Sequence, residues 1–195
     1  MSGAFPISSA KFETLGIKSI QTTIISKSDS GKRLARQIDG QRWGFTASII
    51  TSTRSSVYGE LMAFIIKQRS GKETFTIIPP EIEDARGNET GTILVDGVHA
   101  VGDTTIDLDG FAGDGAGRFL AGDFISFNSH SKVYMIVADV TSSSNAATVT
   151  IEPPLTTALA NNGAVTYDNV PFTVYLTSDL QEFGVAGSDK DGNVL

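Results

Sequence analysis

Residues able to do chemistry are few in this chain, and their spacing is poor. There are two histidines, His99 and His130, and neither is expected to have an acid or a second histidine at metal-ligand spacing. No cysteine is present, which removes disulfides, thiolate metal sites and a thiol nucleophile. No Gly-x-Ser-x-Gly nucleophile elbow occurs. Gly113, Gly115 and Gly117 superficially match a phosphate cradle, but such a cradle needs a strand before it and a helix after it. The following Phe119–Asp123 reads as another turn and strand, so a hairpin loop is expected. Ser30-Gly31-Lys32 and Ser70-Gly71-Lys72 lack the earlier glycine of a P-loop, since Ser26 and Ile66 stand in its place.

Calcium loops fare no better. After Asp107 and Asp109, Phe111 and Ala112 occupy positions that should hold a ligand and the turning glycine, and Arg118 replaces the closing acid. Asp189, Asp191 and Asn193 begin a second such loop but reach the end of the sequence before a closing Glu. Both read as solvated turn carboxylates. Asn88-Glu89-Thr90 matches a glycosylation sequon by pattern alone. The expectation is a protein without catalytic residues, cofactor or metal. The one clustered charge feature is Lys32, Arg33, Arg36 and Arg42. Two readings stay open for it: a strand edge kept soluble by charge, or an ionic contact with a neighbouring subunit.

The elements that carry these residues centre on Gly40–Pro80. Trp43, Phe45, Ala47 and Ile49 alternate with small polar residues, the period of a half-buried strand. Val57, Leu61, Phe64 and Ile65 share one helix face; Ser55 or Ser56 can cap it and Gly71 suits a left-handed stop. Phe75, Ile77 and Ile78 form the next strand, ended by Pro79-Pro80. Upstream, residues 17–26 favour strand, Asp29-Ser30-Gly31 a turn, and residues 32–38 a strand. Asp39-Gly40 reads as a hairpin pairing 32–38 with 42–50. Residues 82–91 suit a linker. Six short β-like runs follow, at 92–95, 104–108, 123–127, 132–138, 147–151 and 164–167, with a helical turn expected near Pro153-Pro154-Leu155. That rhythm marks a small barrel or sandwich. Val170–Leu176 resembles the earlier strands, so the chain is expected to return there.

The fold class expected is mostly β: a sandwich or barrel belt domain with one packed helix (1–87 and 168–195), carrying an inserted small β-barrel (88–167). The 195 residues suffice for a real core. The net charge of −7 is uneven. Residues 1–86 hold twelve Lys and Arg against eight Asp and Glu, and residues 87–195 hold three against fourteen. The acidic half does not suit nucleic acid. No apolar run is long enough to cross a bilayer. Met-Ser-Gly-Ala-Phe-Pro shows no signal-peptide pattern, so a chain made and kept in a cytoplasm is expected.

The order of segments resembles bacteriophage distal tail proteins, the hub-ring proteins of long tails. The resemblance rests on Phe5-Pro6, Ser28-x-Ser30-Gly31-Lys32-Arg33, Gly40–Phe45, and Ala63–Gln68 before Thr74–Ile77. It continues through Val101–Ile106, Leu120–Ile125, Tyr134-Met135, Ile151–Leu155, Val170–Val174 and Leu180–Phe183. It implies a hexameric ring joining the tail tube to the tip or baseplate, with the barrel facing outward towards adhesins. Its partners would be copies of itself, the tail tube protein, the baseplate hub and adhesins. DNA would be passing cargo only, no membrane would be engaged, and the location would be the virion, assembled in the host cytoplasm. The alternative is a carbohydrate-binding or adhesin module, with Trp43, Tyr134, Tyr167 or Tyr175 stacking on sugars. A wall hydrolase would need paired carboxylates in a cleft, and nothing in the sequence recommends one.

Overall fold

The computed structural model describes residues 3–6, 12–38, 40–49 and 59–183. The chain divides into two compact units, 11–50 and the remainder. The protein is mostly β, with one helix among the described residues. The domain boundaries expected at 87/88 and 167/168 both fall inside the larger unit.

The smaller unit is an antiparallel ribbon of four strands laid end to end in two pairs. Strand β1 (Phe12–Ile20) pairs with β4 (Arg42–Ile49), and β2 (Thr23–Lys27) pairs with β3 (Arg33–Gln37). Ile38 N–H donating to Thr22 O links the two ladders. The hairpin expected at Asp39-Gly40 is therefore corrected, because β3 and β4 are successive stretches of one arm. The turn that folds the ribbon lies at Ser28–Lys32, where Gly31 takes φ 78°. Ser28 N–H donates to Lys32 O, and Ser28 Oγ accepts from Lys32 N–H. A register shift between Phe12 and Thr14 gives β1 an irregular start.

In the larger unit, helix α1 (Gly59–Lys67) precedes strand β5 (Phe75–Ile77). The capping serines and Val57 lie outside the described residues. Leu61 is buried, and the Phe64 ring meets Phe75 edge-on at 5.3 Å and Phe5 at 5.6 Å. The stop expected at Gly71 is made instead by Arg69 and Ser70, with φ 53° and 59°. Gly71 serves another need: a Cβ there would sit 2.7 Å from Leu176 O. Strand β5 is flanked on both sides. Thr76 exchanges backbone bonds with Gly3 and Phe5, and β14 (Phe172–Val174) pairs on the other edge. So the chain does return to β5 after residue 167.

Between them lies a six-stranded, nearly closed barrel. Its strands are β6 (Leu94–Val95), β7 (Thr105–Asp109), β9 (Phe124–Phe127), β10 (Val133–Ile136), β12 (Ala146–Glu152) and β13 (Val165–Thr166), in the order β13-β9-β10-β12-β7-β6. Two short strands, β8 (Gly115–Ala116) and β11 (Thr141–Ser142), pair apart from it. A bridge between Leu94 and Ala164, with Val165 N–H donating to Ile93 O, joins the two edges. Alternation sets the inside: Ile106 and Leu108 face Val149 and Ala147, while Thr105 and Asp107 face out. All four β9 residues are buried, because Ile125 and Phe127 join the barrel core while Phe124 packs on Phe172 of β14 at 5.5 Å. The helical turn expected at 153–155 is absent, and an irregular segment with a cis Glu152–Pro153 bond runs there.

The expected linker at 82–91 is also corrected. Ala85 N–H donates to Tyr167 O, Asn88 N–H donates to Gly117 O, and Glu89 is buried. A Cβ at Gly87 would collide with Arg118 O, and one at Gly91 with Gly110 O. These glycines admit close backbone approach rather than flexibility.

Candidate interaction surface

Chemistry in the ribbon begins with alternation. Opposed residues of an antiparallel pair lie on one face. Leu15, Ile17, Trp43, Phe45 and Ala47 therefore share a face of the β1–β4 half, and Lys18, Ile20, Arg42 and Thr46 share the other. Ile20 lies across the ribbon where Gly44 has no side chain, its Cδ1 3.1 Å from where a Cβ would be. Towards the tip the pattern changes. Ile25 and Ala35 occupy one face of β2–β3, Ile24 and Leu34 the other. Every residue from Gly16 to Ile38 is exposed, including Ile24 at 55%, Ile25 at 52%, Leu34 at 54% and Ile38 at 53%. Exposed aliphatics on both faces of a two-stranded ribbon are apolar surface left open to water.

The four cations expected to form an interface all lie on this unit and are all exposed, but they do not make one patch. Lys32 is in the tip turn. Arg33 opposes Lys27 on the Ile25 face, whereas Arg36 opposes Ile24 on the other face. Arg42 opposes Ile20 at the start of β4. They are strung along the arm from its tip turn to the start of β4. The unit holds seven Lys and Arg against three Asp and Glu, a net of +4, and the remainder holds eight against nineteen, a net of −11. The positive charge that the sequence assigned to residues 1–86 resides wholly in the ribbon, since residues 51–86 are balanced.

No family model and no curated protein matches the chain.

Elsewhere the chemical residues are occupied with structure. His99 is buried in a loop clasp: Asp107 N–H donates to its Nε2 at 3.2 Å. Asp103 Oδ2 comes within 3.9 Å of its Nδ1. His130 Nε2 lies 2.7 Å from Tyr134 Oη, which also accepts from Thr156 N–H. Burial lowers the His130 pKa below the usual imidazole value. Among the described residues no three His, Asp or Glu side chains gather as metal ligands. The Gly113–Gly117 stretch, expected as a hairpin loop, instead contains strand β8, which pairs with the distant β11; Ser142 donates to Gly113 O and Asn145 N–H to Asp114 Oδ1. The backbone N–H groups of Asn145 and Ser144 hold the Asp114 carboxyl below its usual pKa. Asp189–Asn193 lies outside the described residues.

Of the four aromatics expected to stack on sugars, Tyr134 and Tyr167 are buried, with Tyr167 donating to Gly91 O. They cannot present a face to a ligand. Trp43 is half-buried and Tyr175 is exposed.

One feature escaped the sequence. Glu89, fully buried, accepts through Oε1 from the N–H groups of Thr90, Gly91 and Ala112, while its Oε2 lies 3.8 Å from Arg118. Asp123 makes a similar knot: its Oδ1 accepts from Arg86 backbone and side chain, its Oδ2 from Leu120 N–H. Each carboxylate clamps two loops whose residues lie far apart in sequence, so local spacing carried no signal.

Proposed function

We propose that this protein is a structural subunit of a phage tail, forming a hexameric hub ring between the tail tube and the distal tip or baseplate. The observation that carries the reading is a long cationic ribbon that exposes six aliphatics, Ile17, Ile20, Ile24, Ile25, Leu34 and Ile38, a shape suited to contact with other subunits. The return of β14 to β5 adds support, since it leaves the barrel between two strands of one small sheet, the arrangement the resemblance implies. In this reading the barrel faces adhesins or other baseplate parts, DNA passes through the ring, and the protein resides in the virion after assembly in the host cytoplasm. Among the described residues no helix is long and apolar enough to cross a membrane.

The test is light scattering coupled to size exclusion, followed by negative-stain imaging, alone and with tail tube protein. Six-membered rings with a central hole are the expected result. A monomer under both conditions would overturn the proposal. The sugar-binding alternative has lost two of its four candidate aromatics to the core.

A further inference from the structure

We infer that the ribbon tip, residues 22–38, is an intermolecular arm whose partner is the acidic body of a second copy of this chain. The inference rests on the ring reading and specifies which segment of one subunit holds the next. Three observations carry it. Every side chain of the segment is exposed, yet it presents Ile24, Ile25, Leu34 and Ile38 to water. A two-stranded ribbon without a covering layer is marginal in water, so a partner that buries these aliphatics also stabilises the ladder. The third is charge. Lys27, Lys32, Arg33 and Arg36 surround the aliphatics, while the other unit carries −11 and exposes Asp96, Asp107, Asp139, Glu152, Asp168 and Asp179. A surface of opposite sign is thus supplied by every further copy, and attraction of this kind steers and orients association. Nucleic acid would meet the cations but leave the aliphatics uncovered.

The arm's aliphatics lie on both faces of its ladder, with Ile25 on one and Ile24 and Leu34 on the other. It can therefore be gripped from two sides.

The experiment uses the full chain with a photo-reactive phenylalanine at position 25, mixed with an equal amount of isotope-labelled chain. Cross-links joining position 25 to residues 59–183 of the other isotope are expected. Cross-links confined to one isotope, or none at the highest soluble concentration, overturn the inference. So does protection of position 25 only by added duplex DNA. Ile24→Asp with Leu34→Asp, and separately Arg33→Glu with Arg36→Glu, should each weaken self-association on the order of tenfold. Both pairs are exposed, and the near-ultraviolet dichroism of the barrel aromatics reports whether the fold persists. If the dichroism persists and association is unchanged, the arm is not the contact. Rings that form without inter-copy cross-links from position 25 would overturn the arm and leave the ring. Inter-copy cross-links in species that never close would support the arm and overturn the ring.

Discussion

At the residue scale, the glycines that look alike in sequence have opposite physical roles. Gly87 yields space to Arg118 O, whereas Gly97 takes φ 86° with nothing within 4 Å of where a methyl group would sit. Gly87→Ala is therefore expected to destabilise the barrel by about 3 kcal/mol, through backbone displacement. Gly97→Ala should cost about 1 kcal/mol, from the left-handed conformation alone. Denaturant titration of the two variants separates them, and equal losses would refute the steric account. Composition could not distinguish the two, which is why residues 82–91 read as a linker. Glu89 was equally illegible, because its partners Ala112 and Arg118 are distant in the chain. Glu89→Ala strips three N–H groups of their acceptor and leaves Arg118 without its carboxylate. The expected loss is about 3–5 kcal/mol, readable in the same titration.

Two titrating residues give opposite signs. Burial lowers the His130 pKa from 6.5, so the folded chain prefers the neutral ring. Its contribution is fully present above pH 6.5 and is lost as pH falls through the lower folded value. His130→Gln should flatten that acid limb in a melting series. Burial, and then the neighbouring Asp84 carboxylate, raise the Asp168 pKa above 3.8, with Ala85 N–H opposing. That carboxylate costs stability at neutral pH, and the cost disappears as pH falls through the raised value. Asp168→Asn should raise the melting temperature at pH 7 and bring no gain below pH 3.8.

At the element scale, strand positions were largely legible and their pairing was not. Alternation marked 43–49 correctly, and the six runs after residue 92 all coincide with barrel strands. Pairing failed at Asp39-Gly40 because two turn signals competed, and the one at 29–31 closes the ribbon. β3 pairs with β2 and β4 with β1, so the two expected partners do not pair with each other. The helix stop failed for a similar reason: two non-glycine residues accept the left-handed conformation, and the nearby glycine was needed for contact with Leu176 O. The ribbon makes its own prediction. With both faces exposed at 23–27 and 33–37, the ladder amides should exchange readily with solvent in dilute chain and become protected on self-association. Amide exchange unchanged between the two states would contradict a role for this element in assembly.

At the scale of the whole molecule, the units carry the same net charges as the two sequence halves, with the positive excess confined to residues 11–50. Attraction between a +4 ribbon and a −11 body is screened over a Debye length of about 8 Å at physiological salt. Self-association should therefore weaken as sodium chloride rises from about 0.05 to about 0.5 M, followed by sedimentation. Strengthening with salt would place the driving force in apolar burial alone. The mostly β class and the small barrel were readable because short alternating runs and turn residues record them locally. The candidate contact cations were readable as residues but not as a surface, since their facing depends on register.

The barrel's closure has a consequence for how such a chain can change over generations. Ala85 N–H donates to Tyr167 O and Val170 N–H to Glu83 O, so the segments leading into and out of the barrel run side by side. Everything between them is thus a cassette with adjacent ends. Recombination can exchange it for another cassette of the same end-spacing, or delete it to a tight turn, without moving α1, β5 or β14. The barrel can then change while the small sheet of β5 and β14 is inherited intact.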